Sequence, residues 1–166
     1  NGLTQLFFYC QFVSIFTKLF TNYNNLKFID LKLCDAVYEG IEAMGFDEPS
    51  EVQELVIPLA LQTKDLIACA QTGTGKTAAY LLPLMHHLHA TKSEKIKGII
   101  LAPTRELALQ IDQQFQGFAY FAGLESTAIY GGNDPAIWER QRVAIETGAN
   151  ILIASPGRLL SHLNLG

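Results

Sequence analysis

The segment Ala70-Gln71-Thr72-Gly73-Thr74-Gly75-Lys76-Thr77 has the residue types and spacing of a phosphate cradle, [AG]-x4-G-K-[ST]. Gly73 and Gly75 let the backbone turn tightly and aim N–H groups inward. A helix that starts at the loop adds a partial positive charge where phosphate is favoured. Lys76 can then reach the β/γ-phosphates as a point charge, and the Thr77 hydroxyl can ligate Mg²⁺ carried by the nucleotide. The pattern arises by accident in roughly 1% of chains this long, and the right flanking elements make accident rarer still. Gln71, Thr72 and Thr74 complete the loop.

A cradle of this kind needs a strand before it and a helix after it, and the chain supplies both patterns. Short β-rich runs over Asp65–Ala70, Gly98–Ala102, Ser126–Tyr130 and Asn150–Ala154 alternate with helical patterns over Lys76–His89, Arg105–Phe121 and Pro135–Glu146. Repeated βα units of this length predict an α/β fold, a parallel sheet covered by helices. Upstream, Leu33, Val37, Ile41 and Met44 recur at helical spacing, and Gly45 falls where a helix C′ residue belongs. Ser50-Glu51-Val52-Gln53 reads as a capping box opening a second helix.

Composition bounds what such a fold can do. The 166 residues are 49% hydrophobic and 17% charged, enough apolar material for a sizeable core and too little polarity for disorder. A formal net charge of −4 excludes a broad basic face, so any nucleic-acid contact is local. Cys10, Cys34 and Cys69 are scattered and odd in number, which argues against a disulfide framework and suits a reducing cytoplasm. Residues 1–25 stand apart: they hold five of the ten phenylalanines, one basic residue and no acid. This stretch is marginal for a membrane span and is expected to be a non-native or disordered hydrophobic extension, with the working protein starting near Leu26. His86 and His89 could share a helix face, but no acidic or cysteine partner stands near, so a metal site is not expected. Trp138 is expected to be a packing anchor, and Glu106 a first-turn acid without a catalytic role.

Further segments fall in a fixed order around the loop. They are Gly45-Phe46-Asp47-Glu48-Pro49-Ser50-Glu51-Val52-Gln53, with Phe28 seventeen residues before Gly45; Pro103-Thr104-Arg105-Glu106-Leu107-Ala108-Leu109-Gln110; Gly131-Gly132; and Ser155-Pro156-Gly157-Arg158. With them residues 26–166 resemble the N-terminal RecA-like domain of DEAD-box RNA helicases, and these segments look like the family's Q motif, motif Ia, GG motif and TPGR motif, the last with Ser for Thr. The tail Leu159–Gly166 is similar to the bacterial RhlE-type branch. The resemblance implies a Q-motif region over 26–54 and a partial RecA-like ATP-binding domain over 55–166, incomplete at its C-terminal side.

The resemblance assigns roles as well. Gln53 would pair its carboxamide with the N7 and N6 edge of adenine while Phe28 stacks on the base, giving selectivity for ATP that a phosphate loop alone lacks. Alone, Gln53 would read as the cap of its own helix, and Phe28 as a core aromatic. Pro103, Thr104, Arg105, Gly131, Gly132, Pro156, Gly157 and Arg158 would hold the RNA sugar–phosphate backbone, contacts that carry no base information. Each of these segments alone is an ordinary cap or turn, and either arginine could pair with an internal acid. No Walker B acid follows an apolar strand in residues 26–166. The family's D-E-A-D segment and second RecA-like domain would come later, so the full-length parent is expected to hydrolyse ATP and part short RNA duplexes, and this chain alone to do neither. Without the strands that flank it in such sheets, the loop's own strand would lack partners, and poor solubility is expected. The competing readings are another superfamily 2 helicase acting on DNA, and a non-catalytic half-clamp for RNA or a partner.

Overall fold

The computed structural model describes residues 26–91, 96–132 and 134–164. The extension expected over 1–25 and the last two residues of the Leu159–Gly166 tail lie outside the described residues. The described residues fall into two compact units, divided between His87 and Leu88. Among the described residues no helix is long and apolar enough to cross a membrane.

The first unit is helical. A 3₁₀ turn over Phe28–Leu31 is tied at its start by the Lys27 N–H donating to Asp30 Oδ2 (2.9 Å) and ends on Lys32 in the left-handed region (φ 58°). Helix α1 (Asp35–Ala43) buries Val37 and Ile41, one turn apart on the same face. It stops as the sequence predicts: Gly45 takes φ +72°, and the N–H groups of Gly45 and Phe46 donate to the carbonyls of Glu42 and Ile41. That is a Schellman closure, which needs the left-handed residue only glycine adopts cheaply. Helix α2 (Glu51–Leu61) begins after Ser50 and α3 (Lys76–Thr91) begins on the phosphate loop. Phe28, Ile41, Ile57, Leu81, Leu82 and Met85 are buried. Burial of each such side chain stabilises by about 1.5–3 kcal/mol before conformational entropy is counted.

The segment Asp65–Ala70 departs from expectation. It was predicted to be the strand that leads into the loop, but it carries no ladder bonds to any described residue and is not a strand. Asp65, Ala68 and Cys69 are exposed, and Leu66, Ile67 and Ala70 only half-buried. An apolar run fixes what a segment can become; a strand exists only where a neighbour supplies the N–H and C=O partners. None of the described residues does so here.

The second unit is a layered α/β structure. Strands β1 (Gly98–Leu101), β2 (Ser126–Ile129) and β3 (Ile151–Ala154) form a parallel sheet in the order β1-β3-β2. The register places Leu101 and Ile129 both opposite Ala154. Helices α4 (Arg105–Ala119), α5 (Pro135–Thr147) and α6 (Pro156–Asn164) follow the strands in turn. β3 is central and buried at every position, as a strand between two parallel neighbours should be. α4 packs on β2 and β3 and buries Ala108, Ile111, Phe115 and Phe118, the one-sided pattern of an amphipathic helix. Asn150 fixes the β2–β3 register from below: its Oδ1 accepts from Glu125 N–H (2.8 Å) and its own N–H donates to Glu125 O (2.9 Å). Ile129, Ala149, Leu152 and Ala154 make a buried cluster against Ile145 and Leu159.

Candidate functional site

In the first unit the loop that opens α3 has the form its glycines predict. Gly73 and Gly75 hold φ +83° and +85°, values that side-chain-bearing residues rarely adopt. A Cβ on Gly73 would meet nothing within 4 Å, whereas one on Gly75 would stand 2.4 Å from Gln53 Nε2. Gly75 is therefore required twice, once for the backbone and once for the side chain laid across it.

That side chain comes from the start of α2. Gln53 is 2% exposed. Its Oε1 accepts from the Ser50 N–H (2.9 Å), the reach-back half of a capping box, and its Nε2 donates to the Gly75 carbonyl (3.1 Å). Ser50 adds a second tie, its hydroxyl donating to the Thr74 carbonyl (2.8 Å). One N-terminal turn thus holds two successive carbonyls of the loop. The S-x-x-Q pattern announces the cap; the use of the same residues to grip the loop is tertiary and was not expected.

Lys76 lies over its own loop, with Nζ bonded to the carbonyls of Ala70 and Gln71, the latter at 2.5 Å. Thr74 Oγ1 also donates to Gln71 O (2.8 Å). Among the described residues Lys76 has no carboxylate partner, and its charge meets the carbonyl dipoles of the loop. A phosphate is a stronger acceptor for that ammonium. Thr77 hydrogen-bonds the phenol of Tyr80, whose pKa burial raises and the Thr77 contact lowers, burial being the larger effect. Gln71, Thr72 and Gly73 are exposed. Phe28 is 2% exposed and packs edge-on against Phe46, ring centroids 6.4 Å apart. It stands in the core of this unit, with no open face towards solvent.

The histidines of α3 have structural work. His86 Nδ1 accepts from the Cys34 N–H (3.0 Å), His87 Nε2 donates to Ala60 O (3.3 Å), and in the second unit His89 Nδ1 donates to Ala122 O (3.1 Å). Among the described residues no three metal-ligating side chains cluster.

In the second unit the remaining residues named from sequence converge. Because β1, β2 and β3 run parallel in register, the segments that leave their C-terminal ends lie side by side. These are Pro103-Thr104-Arg105, Gly131-Gly132 and Pro156-Gly157-Arg158. Ala102 N–H donates to Ala154 O (2.9 Å) and Ser155 N–H to Ile129 O (2.7 Å), carrying the pairing into the loops. This is the end at which open parallel sheets take ligands. Thr104 caps α4, its Oγ1 accepting from Leu107 N–H (3.2 Å). Arg158 is tied down: Nε donates to Tyr130 O and Nη2 to Gly132 O, both at 2.9 Å. Among the described residues neither arginine pairs with an acid. Arg105 instead lies over the Tyr130 ring, 4.7 Å from guanidinium carbon to centroid, and Arg158 over Trp138 at 4.8 Å.

The glycines of this rim have no internal reason to be glycine. Gly131, Gly132 and Gly157 are exposed and none is in the left-handed region. A Cβ on Gly131 or Gly157 would meet open space, and one on Gly132 would touch only Ile137 Cδ1 at 4.0 Å. Gly157 sits in the first turn of α6, where alanine would favour the helix by about 0.5–1 kcal/mol. What remains is the other use of glycine, close approach of something external to the backbone.

A glycine-turned loop opening a helix, and a parallel sheet with its loops gathered at one edge, define an α/β protein with a P-loop sequence. A sequence profile of the DEAD/DEAH box helicases matches residues 50–165, and the chain belongs to that family. The chain is 41% identical over 138 residues to the ATP-dependent RNA helicase CshA of Listeria monocytogenes, covering 83% of this chain and 26% of that one. It is 43% identical over 137 residues to the ATP-dependent rRNA helicase RRP3 of Coccidioides immitis, covering 82% and 28%. Among solved structures it is similar to a DEAD box protein from the hyperthermophile Methanococcus jannaschii, with TM-score 0.76, 37% identity, and 84% of this chain and 37% of that one covered. The RNA-helicase Prp28 from Chaetomium thermophilum bound to ADP gives TM-score 0.75 at 38% identity, covering 84% and 34%. The chain thus spans about a quarter of the length of the curated relatives it matches.

Proposed function

We propose that this chain is the ATP-binding, RNA-gripping N-terminal part of an ATP-dependent RNA helicase. The observation that carries the reading is the loop Ala70–Thr77: Gly73 and Gly75 at left-handed φ, with Lys76 bonded, among the described residues, only to loop carbonyls. The loop fits a triphosphate. It offers open space above Gly73, a cation with no acidic partner among the described residues, and the N-terminus of α3 behind it. Lys76 would exchange the carbonyls of Ala70 and Gln71 for the β- and γ-phosphates, and Thr77 would leave Tyr80 to ligate the nucleotide's Mg²⁺. Bound Mg²⁺ would neutralise developing phosphate charge.

Adenine selectivity is assigned to Gln53 and Phe28. Each Gln53 amide atom has used one of its two bonding capacities, leaving one acceptor site and one donor for a purine edge once the side chain, now 2% exposed, is uncovered. Base stacking on Phe28 requires its ring, now against Phe46, to become accessible. RNA would lie along Pro103–Arg105, Gly131–Gly132 and Pro156–Arg158, and the three unforced glycines support that placement. Arg158 has two N–H groups bonded to carbonyls and three left for phosphate. A second RecA-like domain would complete the cleft in the whole protein and supply groups for hydrolysis. A reducing cytoplasm suits the free Cys34 and the exposed Cys69.

The test is coupling. RNA affinity of the whole protein, second RecA-like domain included, measured with and without Mg-ATP, is expected to rise with nucleotide, and ATP affinity to rise by the same factor with RNA. Equal RNA affinity in both conditions would overturn the clamp.

A further inference from the structure

Tyr130 was not singled out by its sequence context, yet it meets both arginines of the rim. Its ring lies under the Arg105 guanidinium at 4.7 Å. Its carbonyl accepts from Arg158 Nε (2.9 Å) and from Gln141 Nε2 (3.1 Å). Gln141 is 4% exposed, and its own Oε1 accepts from His162 Nε2 (3.3 Å). His162 stacks on Trp138 at 3.8 Å and 10°, and Arg158 lies over the same indole. The residue just before Gly131 is therefore the point where the segments after β1, β2 and β3 are joined.

We propose that Tyr130 is a positioning residue that holds Arg105 through its ring and Arg158 through its carbonyl, so that both guanidiniums meet an RNA backbone as one preset pair. The proposal rests on the RNA reading of the rim. The chemistry fits the task. A cation–π contact offers Arg105 no oxygen acceptor, so its N–H groups stay available for phosphate. The two carbonyl bonds on Arg158 fix its plane while leaving three donors. Without the ring, Arg105 would have to be ordered by the RNA itself, and the entropy of a long flexible side chain would be lost on binding. Gln141 and His162 keep the Tyr130 carbonyl in place from behind.

The experiment measures binding of a fluorescein-labelled oligouridylate by anisotropy, using the protein with Tyr130→Phe, Tyr130→Leu, Arg105→Ala and the Tyr130→Leu/Arg105→Ala pair. Mg-ATP binding serves as the control for folding. Tyr130→Phe keeps the ring and is expected to stay within about twofold of wild type. Tyr130→Leu is expected to weaken binding about two- to fivefold, the range of an exposed cation–π contact. In the Arg105→Ala background the same change is expected to cost nothing further, which a merely structural loss would not reproduce. Equal weakening by Tyr130→Leu in both backgrounds, or a Phe variant as weak as the Leu variant, would overturn the proposal. So would Tyr130→Leu binding as wild type while Arg105→Ala is weak. If wild type does not bind the oligouridylate, or Arg105→Ala binds as well as wild type, the RNA reading of the rim itself fails.

Discussion

Gly75→Ala should damage the protein far more than Gly73→Ala, although both glycines hold nearly the same φ. Either alanine forces a side chain into the left-handed region, at about 1–2 kcal/mol. At Gly73 the cost stops there, because the new Cβ meets nothing within 4 Å. At Gly75 the Cβ would lie 2.4 Å from Gln53 Nε2, 3.1 Å from Ser50 Oγ and 3.3 Å from Gln53 Cδ. The carboxamide must leave. It then gives up the bonds to Ser50 N and Gly75 O, at about 1 kcal/mol each, and leaves two main-chain groups to find other partners. Gly75→Ala is therefore expected to cost roughly 2–3 kcal/mol more than Gly73→Ala. Urea unfolding followed by far-UV circular dichroism compares the two variants, each alone and in a Gln53→Ala background. With Gln53 removed, most of the excess at Gly75 should go, leaving only what the tight Ser50 Oγ contact at 3.1 Å adds. Equal costs with Gln53 present, or an excess undiminished by its removal, would refute the idea that Gln53 lies across this loop.

Other consequences can be checked separately. His162 is held below its ordinary pKa of 6.5 by burial and by the nearby Arg158 charge. The unfolded chain then binds the proton more tightly, so this contribution is intact above 6.5 and is lost as pH falls through the lower folded value. Thermal melts from pH 7.5 downward should show less acid loss for His162→Gln than for wild type, and parallel curves would contradict the assignment. Asp134 caps α5, its Oδ1 accepting from Ala136 N–H at 2.8 Å, so Asp134→Ala should cost about 1 kcal/mol in the same urea assay. A cost near zero would mean that the cap contributes nothing. For adenine selectivity, wild type should bind ATP more tightly than GTP, and Gln53→Leu should narrow that gap; equal affinity of wild type for the two nucleotides would sink the assignment. Phe28→Ala is a poor test, because emptying a site that is 2% exposed costs about 3–5 kcal/mol of stability in itself.

The legibility of the fold in the sequence follows the range of the forces involved. Helices α1 to α5 could be read from local signals such as Val37 and Ile41 at helical spacing, Gly45 at the C′ position and Ser50 at an N-cap, whereas α6 (Pro156–Asn164) was not foreseen as a helix. The runs at 98, 126 and 151 were legible as strands and find parallel partners in the order β1-β3-β2. The equally apolar run Asp65–Ala70 was misread, because composition reports burial tendency while a strand depends on a neighbour. The 3₁₀ turn at Phe28–Leu31 is too short to show a period. At the candidate site, the glycine turn within Ala70–Thr77 was legible from the sequence, since the residues that shape it are contiguous. The grip of Ser50 and Gln53 on Thr74 and Gly75, and the meeting of Arg105 and Arg158 at Tyr130, join residues more than twenty apart. Spacing along the chain holds no record of such contacts.

The most direct test is calorimetric titration of Mg-ATP into the protein, beside its Lys76→Ala variant. Saturable heat with wild type and none with Lys76→Ala is the predicted result. A wild-type protein that melts cooperatively yet gives no heat with Mg-ATP would contradict the assignment of Ala70–Thr77 as a nucleotide cradle.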